Sequence, residues 1–125
     1  MADDGRAADA TIAMLSAMRI GIGALAWVSP SSTRKLFGMA SADAADTAYP
    51  LRLFGIRDVV VGTATLLATG DQRRTWVMFG LLCDAADGTA AAIGRRDGSL
   101  PPTSSALVAV PAAAVGLGLW LLRRG

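Results

Sequence analysis

The sequence predicts an all-α fold, an integral membrane four-helix bundle formed by a single transmembrane helical domain over residues 1–125. Three observations predict it. Four apolar stretches near bilayer-crossing length are separated by a long connection over residues 29–49, a tight turn at Gly70-Asp71-Gln72 and a Gly/Pro/Ser-rich loop over residues 98–105. A hydrophobic fraction of 53% and a mean hydropathy of +0.45 are high for a soluble domain. The charges that enter the apolar stretches gather near their centres, whereas a soluble surface helix spreads a polar face along its length.

Residues 1–9 read as a polar tail. The first span, residues 10–28, is apolar apart from Thr11, Ser16 and Arg19. Its length of about 19 residues is close to the roughly 20 that cross a bilayer as a helix. Ile12, Ser16, Arg19, Gly23 and Ala26 share one helical face, so small residues flank the charge and let a neighbour approach. Ala24-Leu25-Ala26 has the form of a leader cleavage site, but Arg19 inside the preceding apolar run argues against one.

Ser29-Pro30 predicts an N-cap with Pro at the first helical position, opening a short interfacial helix near residues 30–38. Arg34 and Lys35 are expected among headgroups, with Leu36, Phe37 and Met39 turned inward. Ser41 and Asp43 suggest a further helix start. The second span, residues 50–69, carries Arg52, Arg57 and Asp58 among apolar residues. Gly70-Asp71-Gln72 predicts a tight turn, and short connections favour antiparallel neighbours.

The third span, residues 74–93, places Gly80, Asp84, Asp87, Gly88 and Ala91 on one face, two carboxylates among the smallest residues. A loop over residues 98–105 leads to the fourth span, residues 106–122, which has no charge and ends at Arg123 and Arg124. Pro111 is a kink candidate, and Gly116 and Gly118 permit close packing. The termini then share one side. The side of the termini holds five basic residues (Arg6, Arg73, Arg74, Arg123, Arg124) against four on the other (Arg34, Lys35, Arg95, Arg96), a slight preference for cytoplasmic termini in a multi-pass cell (inner) membrane protein.

Composition excludes several functions. There is no His, so imidazole catalysis and His metal sites are absent. Cys83 is the single cysteine, so no intrachain disulfide or Cys-rich zinc site forms. A net charge of +2 without a basic stripe argues against nucleic acid.

What remains is the charge inside the spans. One charged side chain at mid-bilayer costs roughly 2.5–3.5 kcal/mol. Arg19, Arg57, Asp58, Asp84 and Asp87 are therefore expected to face one another or a wet cavity. Two cations against three carboxylates leave one negative charge, met by a protonated Asp, by Arg52 or by a bound cation. Such a network either fixes helix pairing and register or marks a proton or substrate path. The functional expectation is an oligomeric or accessory membrane protein that handles protons or a small lipophilic ligand. Its partners would be the bilayer, further copies or other membrane subunits, and that lipophilic small molecule. The alternative is an intramembrane acid–base enzyme for epoxide opening, isomerisation or cyclisation. Asp84, Asp87 and Asp58 are the candidate acid/base groups, and Arg19, Arg57 and Arg52 the network that holds them.

Asp84-Ala-Ala-Asp87-Gly88-Thr-Ala-Ala91 is similar to the start of the CDP-alcohol phosphotransferase signature, whose clustered Asp residues bind divalent metals. Ala92 stands where that signature has Arg, and its later Gly and second Asp pair are missing, so no metal and no cofactor is expected. Pro30 with Leu36-Phe37-Gly38, Arg52-x-Phe54-Gly55-x-Arg57-Asp58-x3-Gly62 and Asp84-x2-Asp87 together give the chain a wider resemblance. It resembles a family of small four-helix membrane proteins of unknown function, carried by GC-rich bacteria and by fungi, and is similar in size and layout to the DoxX-like set. The Gly-x-Arg-Asp-x3-Gly piece is the most specific part, and the match extends over essentially the whole chain. The resemblance implies a membrane bundle and no particular activity.

Overall fold

The computed structural model describes the backbone of residues 2–39 and 44–124, with the side chains of residues 5–39 and 47–124. Within these, the chain is all helix: α1 (Ala2–Val28), α2 (Pro30–Leu36), α3 (Ala44–Leu67), α4 (Gly70–Asp97) and α5 (Ala106–Arg124). No strand occurs among the described residues.

Several boundaries differ from the sequence reading. The polar tail is the first part of α1, because Ala, Asp and Arg there do not break a helix. The expected helix start at Ser41 and Asp43 lies outside the described residues. From Ala44 the chain runs as one helix through Pro50. Proline there removes a single backbone donor, and the remaining ladder carries the helix across it. The turn before α4 is tighter than expected, since Gly70 (φ 58°) already begins the helix. Glycine tolerates that left-handed backbone without the Cβ clash. Ser29 is the N-cap residue of α2 with Pro30 in its first turn, as expected. Phe37 and Met39 turn inward, but Leu36 points outward at 59% exposure.

The helices pack as two antiparallel pairs. In the first pair, α1 lies against α3 with backbone nearly on backbone. A Cβ placed on Gly23 would stand 2.5 Å from the Gly55 carbonyl oxygen, and one on Gly62 would stand 2.9 Å from that of Ser16. In the second pair α4 lies against α5, with Gly118 against Leu81 and Arg74 Nη1 donating to the Leu122 carbonyl at 2.8 Å. The pairs meet mainly through α3 and α4 and only lightly through α1 and α5. At one end, Gly38 (φ 73°) packs on Thr103, whose Oγ1 donates to the Gly38 carbonyl at 2.5 Å. This contact closes the α2–α3 side over the loop between α4 and α5.

The distribution of polarity is inverted relative to a soluble bundle. Ser16, Thr65, Asp58 and Asp84 are buried, while Val60, Phe79, Leu82 and Leu119 are exposed. α1 (over Gly5–Val28), α4 and α5 are long and apolar enough to cross a membrane. The fourth long helix, α3, carries Arg52, Arg57 and Asp58 within two turns and is not among those three.

Candidate functional site

The interior charges form one connected chain. Arg19, on the face of α1 that packs against α3, extends across the bundle to α4, whose backbone does not touch α1. Gly80 admits it: a Cβ there would stand 2.9 Å from Arg19 Nη2. One turn further along α4, Asp84 accepts both guanidinium arms, Nη1 to Oδ1 at 2.9 Å and Nη2 to Oδ2. Arg57 of α3 makes the same forked pair with Asp87, Nη1 to Oδ1 at 3.1 Å and Nη2 to Oδ2 at 2.5 Å. Asp58 sits between the forks. Its Oδ1 lies 4.0 Å from Arg19 Nη1 and 3.7 Å from Arg57 Nη2.

The order of charges is therefore Asp84, Arg19, Asp58, Arg57, Asp87, alternating in sign with one carboxylate in excess. All five residues expected to meet do so. Their spacing explains it, since Asp84 and Asp87 are three apart and share a helical face, while adjacent Arg57 and Asp58 let α3 serve both neighbours. Arg52 does not join them. It lies six residues before Asp58, about 120° away around a helix, and its Nε donates to the Trp27 carbonyl at the end of α1, 3.2 Å away. The excess charge is therefore not met by Arg52.

The two forks differ in shielding. The side chains of Arg19 and Asp84 are 13% and 9% exposed, and those of Arg57 and Asp87 are 36% and 27% exposed. Phe54 covers part of the second fork, its ring centre 5.2 Å from the Arg57 guanidinium carbon. Breaking a shielded pair costs more than breaking an exposed one. Asp84→Asn is expected to lose roughly 2 kcal/mol more stability than Asp87→Asn in mild detergent. Equal losses would mean that the two forks share one environment.

A cavity of about 610 Å³ opens above this network, towards the end closed by α2. Arg19, Asp58, Asp84 and Asp87 reach its floor. Leu15 and Ile22 of α1, Phe54 of α3, and Ala114 and Leu117 of α5 line its walls, and Phe37, Met39 and Leu100 roof it. Met18 and Val110 also line it and remain 46% and 37% exposed, so the wall between α1 and α5 is not sealed. The cavity was not visible in the sequence, because it is the gap left between two helix pairs. Below the network a second void of about 20 Å³ touches Arg19 and Ser16. Ser16 Oγ and Arg57 Nε are buried with no hydrogen-bond partner among the described residues.

No grouping of three or more Cys, Asp or Glu side chains suited to a metal occurs among the described residues. The carboxylates are instead separated by guanidinium groups, which hydrogen-bond to both oxygens of Asp84 and of Asp87. Chemically, the site joins an apolar chamber to a carboxylate, Asp58, that has ionic neighbours but no donor at hydrogen-bond distance among the described residues. Comparison with protein-family models, curated proteins and solved structures finds no match to this chain, so its functional reading rests on this geometry.

Proposed function

We propose that the chain is a small integral membrane four-helix bundle that takes a lipophilic small molecule into its interior cavity, against a floor of Arg19, Asp58, Asp84 and Asp87. The observation that carries this reading is the cavity itself. Its volume of about 610 Å³ lies in the range of small-molecule sites, roughly 300–1,000 Å³, and its walls are apolar down to a charged floor. A network serving only to fix helix pairing has no need of an open chamber above it.

The membrane part of the reading rests on polarity. Three helices have the length and composition to cross a bilayer. In this reading α3 is the fourth span, because Arg57 and Asp58 face the other helices, the exposed Arg52 donates to the end of α1, and its outer face presents Leu53, Ile56 and Val60. Those outer residues, with Phe79 and Leu82 of α4, face lipid or further subunits. The unsealed wall between α1 and α5 gives a lipid-dissolved molecule a lateral way in.

A second reading, an intramembrane acid–base enzyme, is favoured by one observation. Asp58 is buried at the cavity floor with no hydrogen-bond donor among the described residues, flanked by two guanidinium groups that can stabilise developing charge. Isomerisation, cyclisation or epoxide opening of the bound molecule would use Asp58, Asp84 or Asp87 as the acid or base.

The test fills the chamber. Ala114 lines its wall, and Ala114→Trp would occupy much of it. In native mass spectrometry from mild detergent, the wild-type chain is expected to carry a small molecule near one per chain, and Ala114→Trp to lose at least about 90% of it while remaining folded. Equal loading in both proteins, or no loading in either, would remove the cavity as the functional element.

A further inference from the structure

The geometry points to the class of ligand: a lipophilic amine, with one positively charged nitrogen held at Asp58 and an apolar body filling the chamber. This inference rests on the cavity reading above and adds the chemistry of the ligand's head.

The first support is charge. The network holds Asp58, Asp84 and Asp87 against Arg19 and Arg57, one negative charge in excess. An uncompensated charge is costly in an apolar interior; with Arg52 directed elsewhere, a proton on an Asp or a bound cation removes the cost, and an ammonium group supplies the cation.

The second is hydrogen bonding. Both Nη atoms of Arg19 are turned to Asp84, and both of Arg57 to Asp87. The nearest cationic nitrogens to Asp58 stand 3.7 and 4.0 Å away, beyond hydrogen-bond distance. Backbone N–H groups near Asp58 are committed to the α3 ladder. The Asp58 carboxylate, 6% exposed as a residue and reaching the cavity, is therefore an acceptor awaiting a donor. A carboxylate accepts from up to about four directions, and an ammonium group offers up to three donors together with a full positive charge.

The third is selection against the alternatives. An alcohol supplies a donor without the charge. A carboxylate or phosphate head would add a second negative charge to a floor already in excess. The apolar walls and the open side between α1 and α5 favour a body that partitions into lipid.

A matched series on one hydrocarbon skeleton tests this: dehydroabietylamine, the corresponding alcohol and the corresponding acid, each titrated against the purified full chain in mild detergent and followed by tryptophan fluorescence. The amine is expected to bind at least about tenfold more tightly than the alcohol, as a charge-assisted bond over a neutral one implies, with the acid weakest. In Asp58→Asn the amine-to-alcohol ratio is expected to fall to about one. An alcohol or acid that equals the amine on the wild-type chain overturns the inference without reference to any variant, and leaves the cavity reading standing. An amine preference that survives in folded Asp58→Asn also overturns it. If no member of the series binds, and Ala114→Trp changes nothing in native mass spectrometry, the cavity reading falls and this inference with it.

Discussion

Arg19→Ala is expected to destabilise the protein by about 3–5 kcal/mol, the range for removing one partner of a buried ion pair. The guanidinium holds Asp84 in a fork and lies within 4.0 Å of Asp58. Its loss strands two carboxylates that are each 9% exposed at the side chain. It also removes the side chain that links α1 to α4, which share no backbone contact. Arg19→Lys should fall between wild type and Ala, because an ammonium keeps the charge but cannot make the planar fork. Adding Asp84→Ala to Arg19→Ala should recover part of the loss, with a coupling of roughly 1–3 kcal/mol in a double-mutant cycle. Unfolding in mild detergent measures all of these. An unchanged midpoint for Arg19→Ala would refute the buried pairing, and additive losses in the double variant would place the two residues in separate environments.

Gly55→Leu is the second large effect. A Cβ at residue 55 would stand 2.5 Å from the Gly23 carbonyl oxygen and 3.1 Å from the Trp27 nitrogen. Both are backbone atoms of α1, so no rotamer change relieves the contact and the helices must separate. The expected loss is at or above the upper end of the ~1–3 kcal/mol typical of overpacking. Separation would also draw Asp58 away from Arg19, since residue 58 lies one turn from Gly55 on the same helix. Gly116→Ala supplies the opposite expectation. A Cβ there meets nothing within 4 Å, and alanine is the better helix former by about 1 kcal/mol. That variant should be neutral or more stable. Should Gly55→Leu behave like Gly116→Ala, the close α1–α3 approach would be wrong.

Much of the helix layout was legible because its signals are local. Apolar length, the Ser29-Pro30 start and the Gly98 stop are read within a few residues of one another. Boundaries were less legible where competing signals met. Pro50 argued for a helix start and is instead carried inside α3. The two-carboxylate face of α4 and the small-residue faces of α1 and α3 follow from helical periodicity alone, and they contain the residues that meet. Arg52 misled because the sequence shows its charge but not its direction. Leu36 misled for the same reason, as an apolar residue at the edge of a short helix.

By itself the sequence determined that the chain is helical, that it holds stretches long and apolar enough to cross a bilayer, and that Arg19, Arg57, Asp58, Asp84 and Asp87 need one another or water if those stretches do cross one. These follow from composition and from the 3.6-residue repeat. Only the tertiary structure decided which carboxylate belongs to which guanidinium. That choice depends on how α1, α3 and α4 are placed around the interior, and it leaves Asp58 between the forks instead of Asp84 or Asp87. The tertiary structure also decided that the space above the network is open. A cavity is the volume that packed helices fail to fill, set by the angle and offset between the two pairs, and no stretch of sequence encodes it locally.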